Sequence, residues 1–178
     1  MRKSVLFLLL LAIAGVVLQP HVVTAQSPSI DSGSRIATVI QQNCSTVRGA
    51  IKRIHTNDAV TRVNIGQRYN IISVQLMARF NSRLSLNRMD ASKLVSLTNQ
   101  FESARTQFKT DYNNYDSIMS DLDKTNCLDE PVGFYERLVK AREARQQLAK
   151  DVEQLNRLAE YYRNETQVIL KSLEGGNG

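Results

Sequence analysis

The sequence predicts an all-α fold: an antiparallel bundle of three long helices with coiled-coil-like packing, closed by one internal disulfide. Three observations carry this. Between Arg35 and Glu174 only three glycines (Gly49, Gly66, Gly133) and one proline (Pro131) occur, so turns are few. Apolar residues recur there in alternating steps of four and three, the mark of a heptad seam. The two cysteines, Cys44 and Cys127, fall at the same end when the chain is folded back on itself.

The chain of 178 residues opens with a leader. Arg2 and Lys3 form a positive start, Val5 to Leu18 is an apolar run of 14 residues, and Pro20 and His21 end it ahead of Val23-Thr24-Ala25. This is the pattern of a secretory signal peptide over residues 1–25, with cleavage between Ala25 and Gln26. A spanning helix needs about 20 apolar residues, so a membrane anchor is disfavoured and the mature chain is expected to hold no transmembrane segment. No cysteine follows the apolar run, which argues against lipid attachment. The expected location is secreted, periplasmic or cell-surface.

Residues 26–34, "QSPSIDSGS", read as a flexible lead and 175–178 as a flexible glycine tail around a bundle domain at 35–174. The first helix is expected over about 35–86. Ile36, Ile40, Cys44, Val47, Ile51 and Ile54 form one seam, and Ile65, Tyr69, Ile72, Leu76, Phe80 and Leu84 another. Between them "HTNDAVTR" is poor in helix formers, so a four-helix bundle with a break near Asn57 is the alternative. The second helix, about 91–123, carries Leu94, Leu97, Phe101, Ala104, Phe108, Tyr112, Tyr115, Met119 and Leu122, with Asp90 as its N-cap. The third, about 131–174, follows the seam Phe134, Leu138, Ala141, Arg145, Leu148, Val152, Leu155, Ala159, Tyr162, Thr166, Ile169 and Leu173. Pro131 suits a first helical turn, and Asp129 and Glu130 place negative charge at the positive end of the helix dipole. A helix of that length spans about 65 Å at 1.5 Å per residue. Only an unbroken first helix matches it, which favours three helices over four.

If the chain reverses near Arg88, Cys44 lies level with the connector that holds Cys127, and an oxidising compartment would join them. A reactive thiol would need a neighbouring base, and His55 stands eleven residues from Cys44, about 16 Å along a continuous helix.

Composition narrows the function. The formal net charge is +6, falling to +4 once Arg2 and Lys3 leave with the leader. Arg35 to Lys93 holds ten Lys/Arg and two acids, Asp58 and Asp90, whereas Leu94 to Gly178 holds eleven bases and fourteen acids. This split predicts either a polyanion partner or two halves that face each other, with bases of the first helix pairing with acids of the second. One histidine after the leader and two paired cysteines leave no zinc or haem ligand set, and the acids between Asp111 and Glu130 do not follow a calcium loop. No phosphate loop, serine elbow or dinucleotide fingerprint occurs. No cofactor and no catalytic residue is therefore assigned. The expected activity is binding to a protein or envelope component. Two alternatives are a small helical enzyme that holds an anionic substrate in the bundle interior at Arg145, and a polyanion or nucleic-acid binder acting through the basic first helix. Arg48, Lys52, Arg62 and Arg145 are the candidate anion contacts, though the bases make no single stripe for a nucleic-acid backbone and nucleic acid is disfavoured. Asn164, in Asn164-Glu165-Thr166, is the better placed of two glycosylation sequons. Met77, Met89, Tyr161 and Val168 lie beside the seams and leave apolar surface for self-association.

Overall fold

In a computed structural model, residues 32–175 of the chain are described. The expected signal peptide, its cleavage point at Ala25 and Gln26, most of the flexible lead and the last three residues lie outside them. The described chain is all helical: α1 (Ser32–Asn70), a π-helical segment (Ile71–Met77), α2 (Ala78–Leu86), α3 (Ser92–Lys124) and α4 (Pro131–Gly175). α1, the π segment and α2 run on without a turn, so the bundle has three long helices and the break near Asn57 does not exist. Ser32 to Ser34, expected in the lead, already belong to α1.

Cross-helix bonds define the topology. Residues 44, 58 and 81 meet 127, 115 and 98, so the first and second helices run antiparallel. Residues 58 and 81 meet 145 and 162, so the first and third run parallel. Up, down, up follows.

The reversal near Arg88 is a Schellman turn. Met89 N donates to Leu84 O at 2.9 Å and Arg88 N to Ser85 O at 3.0 Å, while Arg88 takes φ 57°. That left-handed position usually belongs to glycine, because a Cβ there costs about 1 kcal/mol or more. Met89 tucks against the core beside Leu84, supplying the hydrophobic contact that accompanies this motif. Asp90 acts one position ahead of the helix proper. Its Oδ1 accepts from Ser92 N at 2.9 Å, which holds the Asp90 carboxyl below its usual range. At the other end, the connector folds on itself through Asn126 Oδ1, which accepts from Leu128 N at 3.0 Å, and Glu130 N donates to Asn126 O at 2.9 Å before Pro131 opens α4. Cys127 in that connector is fully buried and disulfide-bonded to Cys44, with Cα atoms 5.7 Å apart. Gln41 Nε2 adds a clasp to Leu128 O at 2.9 Å.

The π segment corrects the expected seam. Leu76, assigned inward, is 58% exposed, and Met77, assigned outward, is 1% exposed. A π turn closes on i→i+5 bonds and so takes up one extra residue. The buried positions therefore step Tyr69, Ser73, Met77, Asn81, each by four. A polar relay holds this altered register. Tyr162 O–H donates to Asn81 Oδ1 at 2.7 Å, Asn81 Nδ2 donates to Thr98 Oγ1 at 2.8 Å, and Thr98 O–H donates to Leu94 O at 2.9 Å. Donors and acceptors along this chain leave one orientation for each group. Burial pushes the Tyr162 phenol up to about 12, so it keeps its proton. Ser73 hydrogen-bonds Glu102, which in turn binds Arg105 at 2.6 Å.

The core divides into two clusters. One surrounds the disulfide, with Ile40, Ile51, Tyr115, Met119, Leu122 and Phe134; the other holds Tyr69, Met77, Leu84, Leu94, Phe101, Phe108 and Leu155. Between them lies the segment that the sequence left open.

Candidate functional site

The polar stretch "HTNDAVTR" keeps the heptad step. From Ile51 the inward positions run His55, Asp58, Arg62, Ile65 and Tyr69, spaced four, three, four, three and four. Ile54, expected in the seam, is 41% exposed. The interval reads as irregular because three successive seam positions are polar, and each has a partner. His55 Nε2 lies 2.9 Å from Asp116 Oδ1. Asp58 receives Arg145 Nε at 2.8 Å and Nη2 at 3.0 Å, a bidentate pair, and the Tyr115 hydroxyl at 2.6 Å. The Arg62 guanidinium stacks 4.6 Å from the centre of the Tyr112 ring. Burial, and then the bond to Asp58, raise the Tyr115 phenol far above its ordinary value, so it remains a donor. These groups form a polar belt across the middle of the bundle.

Arg145 lies at a partly open edge of the seam. Its side chain is 58% exposed and its charge is met by Asp58. The exposed end belongs to a groove of about 580 Å³ between α1 and α4, floored by α3. Asp58, Thr61, Arg62, Tyr112, Arg142, Arg145 and Gln146 line one part of it, and Ile65, Phe108, Leu148, Ala149 and Val152 the rest. A smaller apolar groove of about 340 Å³, lined by Ile51, Ile54, Leu138 and Val139, begins on the far side of Arg142 and Arg145.

The structure brings Arg62 and Arg145 together, with Arg142, which the sequence reading did not single out. It does not bring Arg48 and Lys52 to them. Arg48 stands about 21 Å up α1 from Arg62 at 1.5 Å per residue, in a shallow depression beside the Cys44–Cys127 bond, and Lys52 is exposed. The signal for Arg142 was its place three residues before Arg145, one turn back on the same face.

The two halves of the chain meet in the ion pairs His55–Asp116, Asp58–Arg145 and Lys93–Glu165, but the expected pairing of first-helix arginines and lysines with second-helix acids does not form. Among the described residues, the ion pairs from the acids of α3 go to His55, Arg105 and Lys124, and none reaches an arginine or lysine of α1 or α2. Two of those three pairs lie within α3 itself. The other arginines and lysines of the first helix are exposed, and Arg62 and Arg142 in the groove make no ion pair among the described residues.

The remaining candidates lie apart. Asn164 is exposed on α4 beside the Lys93–Glu165 ion pair. Tyr161 and Val168 are 56% and 61% exposed and flank a depression with Leu97, whereas Met77 and much of Met89 are inside the core, so the spare apolar surface is smaller than the sequence suggested. Leu173, expected in the seam, is 44% exposed in the last turn of α4. No group of three or more His, Cys, Asp or Glu among the described residues is placed to hold a metal ion. No described helix is long and apolar enough to cross a membrane.

One buried acid escaped the sequence reading. Asp151 is 4% exposed in the α3–α4 seam; Gln147 donates to its Oδ1 at 2.9 Å, and its Oδ2 has no hydrogen-bond partner. Burial raises its carboxyl, Asp111 opposite raises it further, and Gln147 partly offsets the rise. A folded-state value above the unfolded one means that the native chain holds the proton more tightly. Stability therefore falls as pH rises from about 4, near the unfolded value, through the raised one. Asp151→Asn keeps the acceptor for Gln147 and gives Asp111 a donor. The variant is expected to match the parent near pH 3 and to be more stable at pH 7 by about 1 to 3 kcal/mol, the cost of an unsatisfied buried group. Paired thermal denaturation curves at the two pH values check this, and a variant less stable than the parent at pH 7 would refute it.

No protein-family model matches the chain, and neither the curated proteins nor the solved structures compared with it yield a significant match.

Proposed function

We propose that the chain is an exported, non-catalytic binding bundle, and that the groove at its middle is where it holds an anionic partner. The observation that supports this most directly is the pair of guanidinium groups, Arg62 and Arg142, at an open apolar groove without a carboxylate to neutralise them. Charge left uncompensated beside a desolvated wall attracts a counter-ion of opposite sign. Export rests on the leader at residues 1–25.

The enzymatic alternative uses the same groove and is less well supported. Its one lining carboxylate, Asp58, already accepts from Arg145 and Tyr115, so it is poorly placed to take a proton from a substrate. The polyanion alternative draws on the unpaired bases of α1, but Arg48 and Lys52 are displaced from the groove along the helix.

Anilinonaphthalene sulfonate, an aromatic anion that fluoresces in apolar sites, is the probe. The folded protein is expected to bind one equivalent saturably, and Arg62→Gln with Arg142→Gln to weaken binding at least about tenfold, the effect of losing one charged hydrogen bond. Unsaturable binding, or a titration that the double variant leaves unchanged, would remove the groove as the binding site.

A further inference from the structure

The larger groove has a direction. α1 and α4 run parallel, and along both the lining changes from charged to apolar in the same sense: Asp58 and Arg62 precede Ile65, and Arg142 and Arg145 precede Leu148 and Val152. α3 runs the other way, and there Tyr112 comes beside the charged end and Phe108 beside the apolar one. Three elements thus agree on one gradient. From Arg142 to Val152 it extends about 15 Å at 1.5 Å per residue.

Resting on the anion-binding reading above, the geometry points to a single-chain fatty carboxylate as the ligand, its head between Arg62 and Arg142 and its chain along Ile65, Phe108, Leu148 and Val152. A compact anion such as inorganic phosphate would use the charged end alone and leave the apolar floor wet. A polyanion would find too few cations along the track. An amphiphile matches both ends at once. Arg62, its guanidinium carbon 4.6 Å from the Tyr112 ring centre, has N–H donors to offer a carboxylate, and Arg145 is kept from competing by its bidentate pair with Asp58. The smaller groove beyond Arg142 lacks Arg62 and Tyr112, so the chain is directed into the larger one.

The test displaces anilinonaphthalene sulfonate from the folded protein with hexanoate, octanoate, decanoate and dodecanoate, each below its micellar concentration. Affinity is expected to rise about fourfold per added methylene until the groove is full. The series should shift tenfold or more toward weaker binding in Arg62→Gln with Arg142→Gln. Dodecyltrimethylammonium, with the same chain and the opposite charge, should not displace the probe at dodecanoate's concentrations. Hexanoate and dodecanoate of equal strength, with the probe still saturable and arginine-dependent, would overturn the fatty carboxylate while leaving the anion site in place. Displacement by the cation would overturn it as well. Binding to phosphatidylglycerol vesicles without displacement by monomeric dodecanoate would replace it with a membrane surface.

Discussion

Replacing Cys44 and Cys127 together by serine is expected to destabilise the protein by about 4 to 5 kcal/mol. The bond closes a loop of 83 positions between the start of α1 and the α3–α4 connector, and without it the unfolded chain regains the freedom of that loop. The loss reaches packing too, since Cys127 is fully buried in the cluster with Ile40, Leu122 and Phe134, and a hydroxyl there would sit among apolar side chains without a hydrogen-bond partner. For a chain of this size the change lowers Tm by roughly 10–20 °C. Reduction of the parent protein should reproduce most of the shift, and the serine pair should show no further response to reductant. A parent whose melting is unmoved by reductant would contradict the staple.

Phe101→Ala is expected to cost about 3 to 5 kcal/mol. The ring is fully buried in the cluster far from the disulfide, edge-on to Tyr69 at 5.9 Å between centroids, and Tyr69 meets Phe108 the same way at 6.0 Å. Removing the middle helix's ring takes away the partner on which Tyr69 rests, just before the π segment begins. Denaturant unfolding of the variant should show a lower midpoint with little change in slope, because the surface exposed on unfolding is nearly the same. The disulfide and Phe101 sit in different clusters, so their effects should add within a few tenths of a kcal/mol. A clear departure from additivity would mean that the polar belt couples the two ends of the bundle.

The helices were readable because an amphipathic seam is a local property. All eight buried residues of α3, from Leu94 to Leu122, stand where the heptad step places them, and the reversal at Arg88 and the pairing of Cys44 with Cys127 follow from length arithmetic on those helices. Where the reading slipped, a polar or extra residue had broken the pattern. His55, Asp58 and Arg62 occupy seam positions, and periodicity sees them only as a gap. The π segment inserts one residue at Ile71–Met77, so the inward positions move to Ser73, Met77 and Asn81 before the expected seam is met again at Leu84. Neither leaves a trace in apolar spacing.

The sequence by itself determined the all-α class, the three-helix count by length and the disulfide, because each depends on spacing within a segment or on the distance between two turns. Only the tertiary structure decided which charges meet. Asp58 takes Arg145 from 87 positions away, and that single choice leaves Arg62 and Arg142 unneutralised at the groove. Spacing along a chain sets which face a side chain occupies, but its partner depends on how three helices are rotated and shifted against one another, and those rotations are set by the packing of the whole core.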